Sequence, residues 1–179
     1  MPRKAEAASS GSARPAPSRS TPALPAQATA WAMVLLRVFV GVKLVEAGIS
    51  RWGWMGTNRL EWQLNRWTTG PNPAALSSYI NVLRQFILPH AAVYTYLLVC
   101  GEILVGTCLV LGFLTRAATL PALVLSMNTL LVTWNLGPEW QGINEAFLVM
   151  ELAILLAGAG RRCGIDVVFA RKNPQWPLW

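Results

Sequence analysis

Arg37, Glu102 and Glu151 are ionisable residues set inside long apolar stretches, and that placement is the first chemical signal in the chain. A charged side chain at the centre of a hydrocarbon layer costs about 2.5–3.5 kcal/mol on insertion scales, so each group needs a partner. Counting back from the ends of their stretches puts the three at similar depth. This predicts a network of Arg37 with Glu102, with Glu151, or with both. Two carboxylates beside one arginine leave a spare acid able to exchange a proton, which makes these three the candidate catalytic residues. The same set would also serve as a buried ion pair that fixes helix register.

Other polar residues offer less. Lys43 and Glu46 have the spacing of an i,i+3 ion pair, on a different helical face from Arg37, Gly41, Leu44 and Gly48. The glycines on that second face permit close helix contact. Asn128 is positioned for a structural hydrogen bond between helices. His90, the only histidine, has no ligand-spaced partners, and no metal site is expected. Cys100, Cys108 and Cys163 form no CxxC pair and read as packing residues, two inside a helix and the third on the cytoplasmic side.

Four apolar stretches must position these groups, near residues 29–50, 91–113, 116–137 and 144–160. Each approaches the roughly 20 residues that cross a hydrocarbon core. The stretches are continuous rather than alternating, so helices are favoured over barrel strands. The expected fold is an all-α membrane protein, a four-transmembrane-helix bundle. A short turn at 112–116 makes helices two and three a hairpin, and Pro121 is placed to kink helix three. Between helices one and two, residues 51–90 carry apolar faces (Leu60, Leu64, Trp67, then Leu76, Ile80, Leu83, Ile87) that predict short amphipathic helices in an outer connection. Residues 1–27, rich in Ala, Ser and Pro, read as a disordered cytoplasmic tail. Residues 28–165 then form the membrane domain and 166–179 a cytoplasmic C-terminal tail.

Composition agrees, with 54% hydrophobic and only 13% charged residues. The net charge of +7 comes without a basic stripe or an aromatic RNA-binding motif. That argues against nucleic acid and for loops beside anionic lipid. Basic residues concentrate in the N-terminal tail, the 113–116 turn and the C-terminal segment, which predicts an inner-membrane protein with both termini cytoplasmic. Trp52, Trp54, Trp62, Trp67, Trp134 and Trp140 would then mark the outer interface, and Trp31, Trp176 and Trp179 the inner one.

Several of these residues form an ordered pattern. Leu36-Arg37 with Gly41 and Gly48 is followed by Glu102-x-x-x-Gly106 running into Leu111-Gly112-Phe113-Leu114-Thr115-Arg116, and then by Gly158-Ala159-Gly160-Arg161 with Asp166. Over roughly residues 30–170 the chain resembles the DoxX/DoxD family, from which it departs at the charged Lys43 and Glu46. The resemblance implies a four-helix membrane protein in an oxidoreductase assembly, as DoxD is in thiosulfate:quinone oxidoreductase. It implies quinone as cofactor and membrane-protein subunits as partners, although no cofactor-binding motif is recognisable in the chain. Two further readings stand beside this one. The chain could be a non-catalytic accessory or assembly subunit, using its apolar surface, its outer segment and Trp176-Pro177-Leu178-Trp179 to bind a partner or a further copy of itself. A small transporter is third, weakened by the lack of an internal repeat.

Overall fold

The computed structural model describes residues 26–157 and 165–166. Residues 1–25 and 167–179 of the two expected tails, Cys163, the Gly158–Arg161 element and the terminal tryptophans lie outside the described residues. Ala26 and Gln27, by contrast, already belong to the first helix, and Asp166 is buried in the bundle rather than part of a tail. Among the described residues every regular element is helical. Helix α1 spans Ala26–Ser50, α2 Arg59–Thr68, α3 Ser77–Val82, α4 Ala91–Leu111, α5 Thr115–Val132 and α6 Pro138–Ala157. Three helical stretches are long and apolar enough to cross a membrane: Ser77–Leu111, Thr115–Val132 and Pro138–Ala157.

The starts of two helices differ from the sequence expectation, and the third apolar stretch, expected to reach residue 137, ends as α5 at Val132. The second apolar helix begins at Ser77 rather than near residue 91, because a π turn over Leu83–Ile87 and a 3-10 turn over Leu88–His90 carry α3 into α4 without a break. Both turns alter the hydrogen-bond spacing while keeping the chain helical, and they absorb Pro89. The last helix starts at Pro138, where a proline at the first helical position costs no hydrogen bond. Helix α5 runs through Pro121 as one element.

The long helices close on one another, α1 against α4 and α6, and α5 against α4 and α6. Val40, Leu44, Val105, Leu109, Ala118, Ala122 and Ile154 form the core between them. Outward faces are apolar as well, with Leu35, Leu97, Leu104, Val124, Val149 and Leu156 all exposed. A bundle that is apolar both inside and out is suited to lipid rather than water.

The two ends of the bundle are built differently. At one, which we call the turn end, Gly112 at φ 67° closes α4. Its N–H donates to Leu109 O and that of Phe113 to Cys108 O, the reciprocal pair of bonds that ends a helix on a left-handed glycine. At the other, the loop end, residues 51–90 pack as a second layer in which Leu60, Leu64, Ala75, Leu83 and Val132 are buried together. Backbone bonds from Leu76 N to Leu131 O (2.9 Å) and from Asn135 N to Ala74 O (2.7 Å) stitch this layer to the end of α5.

Candidate functional site

The antiparallel register of α1 and α4 decides which charges can meet. Gly41 and Gly106 face each other so closely that a Cβ on Gly41 would lie 2.7 Å from Gly106 O. Further along, a Cβ on Gly48 would lie 3.2 Å from Glu102 Cβ. Position 41 therefore sits beside 106 and position 48 beside the Val99–Ile103 turn that carries Glu102. Side chains lean toward the N-terminus of their own helix, so Arg51, just past α1, and Glu102, on α4, incline toward each other. Arg51 Nη1 donates to Glu102 Oε1 in an ion pair. The Arg51 guanidinium also lies 6.0 Å from the ring centroid of Trp54. Glu102 is buried, and its second oxygen has no hydrogen-bond partner.

Glu151 on α6 forms a second site. It is fully buried, with Oε1 accepting a 2.8 Å hydrogen bond from Ser126 Oγ on α5 and Oε2 without a partner. Glu102 stands ten residues before Gly112 and Ser126 eleven after Thr115, so both acids lie roughly 15 Å from the turn at 1.5 Å per residue.

Arg37 is at another level. Its guanidinium lies over Gly112, where an added Cβ would meet Nη1 at 2.7 Å and Cζ at 2.8 Å. The network expected around Arg37 thus resolves into two acid sites, Glu102 with Arg51 and Glu151 with Ser126, and a separate arginine at the turn. The physical reason is the length of α1. It begins at Ala26 and runs past the turn, so distance from its own end misstates depth. Of the remaining expectations, Lys43 and Glu46 do pair, at 2.8 Å. Asn128 bonds across elements, its Oδ1 accepting from Tyr79 OH at 2.7 Å. His90 Nδ1 lies 3.2 Å from Phe86 O, and no metal-holding group of three or more His, Cys, Asp or Glu occurs among the described residues.

Sequence reasoning missed Arg51 and Ser126 as site residues. Arg51 lies just past an apolar stretch and outside it, and only the register of Gly41 against Gly106, together with the reach of both side chains, brings it to Glu102. No pattern singled out Ser126, a lone hydroxyl in an apolar helix.

Asp166 fastens the turn end. Its carboxylate accepts the N–H of Leu114 at 2.6 Å and of Thr115 at 2.8 Å, capping the start of α5. Its own N–H donates to Gly112 O at 2.9 Å. Leu114 is held at φ 47°, a left-handed conformation costing a non-glycine residue about 1–2 kcal/mol. Asp166→Ala is expected to lower stability by about 2 kcal/mol, since helix caps contribute about 0.5–2 kcal/mol and this one is fully buried. Asp166→Asn, which keeps one acceptor, should lose about half as much. Unfolding of the purified variants measures both, and an alanine variant as stable as the parent would exclude the cap.

Above the acids, an apolar cavity of about 350 Å³ opens between the loop layer, α4 and α5. Tyr79, Asn128, Tyr94, Leu98 and Leu125 are among its lining residues. Leu98 is one helical turn from Glu102, and Leu125 adjoins Ser126, so the cavity comes within about one helical turn of the acid sites without being lined by either acid. No curated protein and no solved structure matches the chain. The family model DoxX matches residues 32–136, more than half the chain, and the protein is a membrane protein belonging to the DoxX family.

Proposed function

We propose that this DoxX-family protein is the membrane subunit of a quinone-linked oxidoreductase. In this reading α1, α4, α5 and α6 cross the inner membrane and both termini face the cytoplasm. The observation that carries the functional part is the state of the two buried acids: Glu151 and Glu102 each have one carboxylate oxygen hydrogen-bonded and the other bare. A buried carboxylate with an oxygen that no donor meets is costly as an anion, and taking up a proton relieves that cost by neutralising the group. Acids of this kind inside a membrane bundle suit proton transfer.

The cavity beside them fits a quinone head group. Tyr79 OH is committed to Asn128 Oδ1, which leaves the Asn128 amide N–H groups for a carbonyl oxygen, within walls that are otherwise largely apolar. When bound, a quinone supplies two-electron, two-proton redox chemistry. The Asn128 amide, held in place by Tyr79, would orient it, and Glu102 and Glu151 would hold or pass protons. The electrons come from a partner subunit.

Glu102→Gln and Glu151→Gln keep shape while removing the titratable proton. Quinone reduction per assembled complex should fall about a hundredfold in at least one variant, the lower end of the range for lost acid–base catalysis, with an altered pH profile and assembly retained. Unchanged turnover and pH profile in both would leave the protein as a non-catalytic accessory subunit.

A further inference from the structure

Glu46 stands nine residues from Arg37, half a turn round the helical wheel at roughly 100° per residue. Arg37 is buried, so Glu46 lies at the centre of the outward face of α1. Its flanks there are Leu35, Phe39, Val42 and Ile49, all exposed. Lys43 joins it on this face, and the two side chains, paired at 2.8 Å, remain 46% and 65% exposed. Their height is set by the glycines on either side. Gly41 touches α4 at Gly106 and Gly48 touches it at Val99, well inside the apolar stretch Ser77–Leu111. An ion pair therefore stands on the outside of the bundle at the height of its apolar middle.

Charged residues at that depth face a bundle interior or a watery cavity, because lipid offers no hydrogen bonds. Internal pairing cancels the net charge and leaves much unmet: the lysine has three donors and spends one, and Glu46 Oε1 accepts nothing. A protein surface must complete them. We infer that this face of α1 binds a second copy of the chain, with Lys43 and Glu46 exchanging ion pairs with the partner's Glu46 and the partner's Lys43 across a two-fold axis. The inference rests on the reading of α1 as a membrane-spanning helix and is independent of quinone chemistry.

The charge pattern selects the occupant. A two-fold axis along the membrane normal sets each position level with its own copy, so Lys43 reaches the partner's Glu46 across an axial offset of three residues, about 4.5 Å, which a lysine side chain spans, and the symmetry forms two equivalent pairs at once. Interhelical Lys–Glu pairs specify partners in parallel coiled coils in the same way. Beside the pair, a groove of about 660 Å³ between α1 and α4, lined by Val42, Val45, Ile49, Thr107 and Val110, is open to receive the partner's apolar side chains.

The test uses the full chain in native membranes, with Cys100, Cys108 and Cys163 changed to serine and Val42→Cys introduced for oxidative cross-linking. The parent should form a cross-linked dimer. Lys43→Glu and Glu46→Lys, which set like charges against each other, should each lower it at least tenfold. Co-expressing the two variants under different tags should restore a mixed dimer to near the parental level, a rescue that an unrelated partner cannot produce. Absence of the parental cross-link, indifference to charge reversal, or failure of the mixed rescue overturns the inference. Labelling of Glu46→Cys by a membrane-impermeant maleimide would place α1 in water and overturn the spanning reading along with it. An unlabelled position 46 without cross-linking overturns the dimer alone.

Discussion

Replacing Arg51 with alanine is expected to destabilise the folded bundle by about 3 kcal/mol, the lower end of the range for breaking a buried ion pair. The lower end applies because the Arg51 side chain keeps 27% of its surface exposed, whereas that of Glu102 keeps 5%. Truncation removes the donor and leaves the carboxylate in an apolar interior with neither oxygen satisfied. Arg51→Ala combined with Glu102→Met should recover most of the loss, since no charge is then stranded. Arg37→Ala should show no coupling to Glu102, because Gly112, over which Arg37 lies, is ten residues and roughly 15 Å away along α4. Denaturant unfolding of the purified protein in detergent measures the full cycle. A single-variant loss below 1 kcal/mol, or losses that simply add, would show that the pair does not hold this end of the bundle together.

Gly106→Val is expected to do at least as much harm by a different route. A Cβ at position 106 would lie 2.6 Å from Gly41 O and 2.9 Å from Val45 N, and these are backbone atoms that no rotamer change can move. The two helices must separate, and overpacking of this kind costs about 1–3 kcal/mol for added methylenes, with valine at or above the upper figure. Gly41→Ala should fall in the same range, since its Cβ would meet Gly106 O at 2.7 Å. Gly101 is the control: a Cβ there meets only Leu125 Cδ1, at 4.0 Å. Gly101→Ala should leave stability unchanged or raise it, because alanine is the better helix former by about 1 kcal/mol. Folded yield and unfolding midpoint report all three, and a Gly106→Val protein as stable as the parent would mean that α1 and α4 do not approach as closely as described.

These two results depend on register, and register is where the sequence was least legible. Continuous apolar stretches made the helical class and most of the long elements plain. The Gly112 turn and the Lys43–Glu46 pair were visible because both are local. Partners for Arg37, Glu102 and Glu151 required knowing how far α1 slides along α4, and helix length does not set that. Contact between small residues does, and the facing glycines at 41 and 106 held the needed information. The start of the second apolar helix was hidden for another reason. Pro89 reads as a boundary, and only a change of hydrogen-bond spacing lets the helix pass it.

The attachment of Asp166 to the turn has a consequence for the order in which the protein is made. A ribosome delivers the turn between α4 and α5 some fifty residues before residue 166, so the amides of Leu114 and Thr115 and the carbonyls of Leu111 and Gly112 are made without the partners they finally keep. Until α6 has been threaded and residues 165–166 have returned, water or lipid head groups must satisfy those groups, which holds the turn at the interface. A later stretch of chain, residues 165–166, then closes a turn formed much earlier, and a nascent chain stopped short of it would carry its hairpin unsealed.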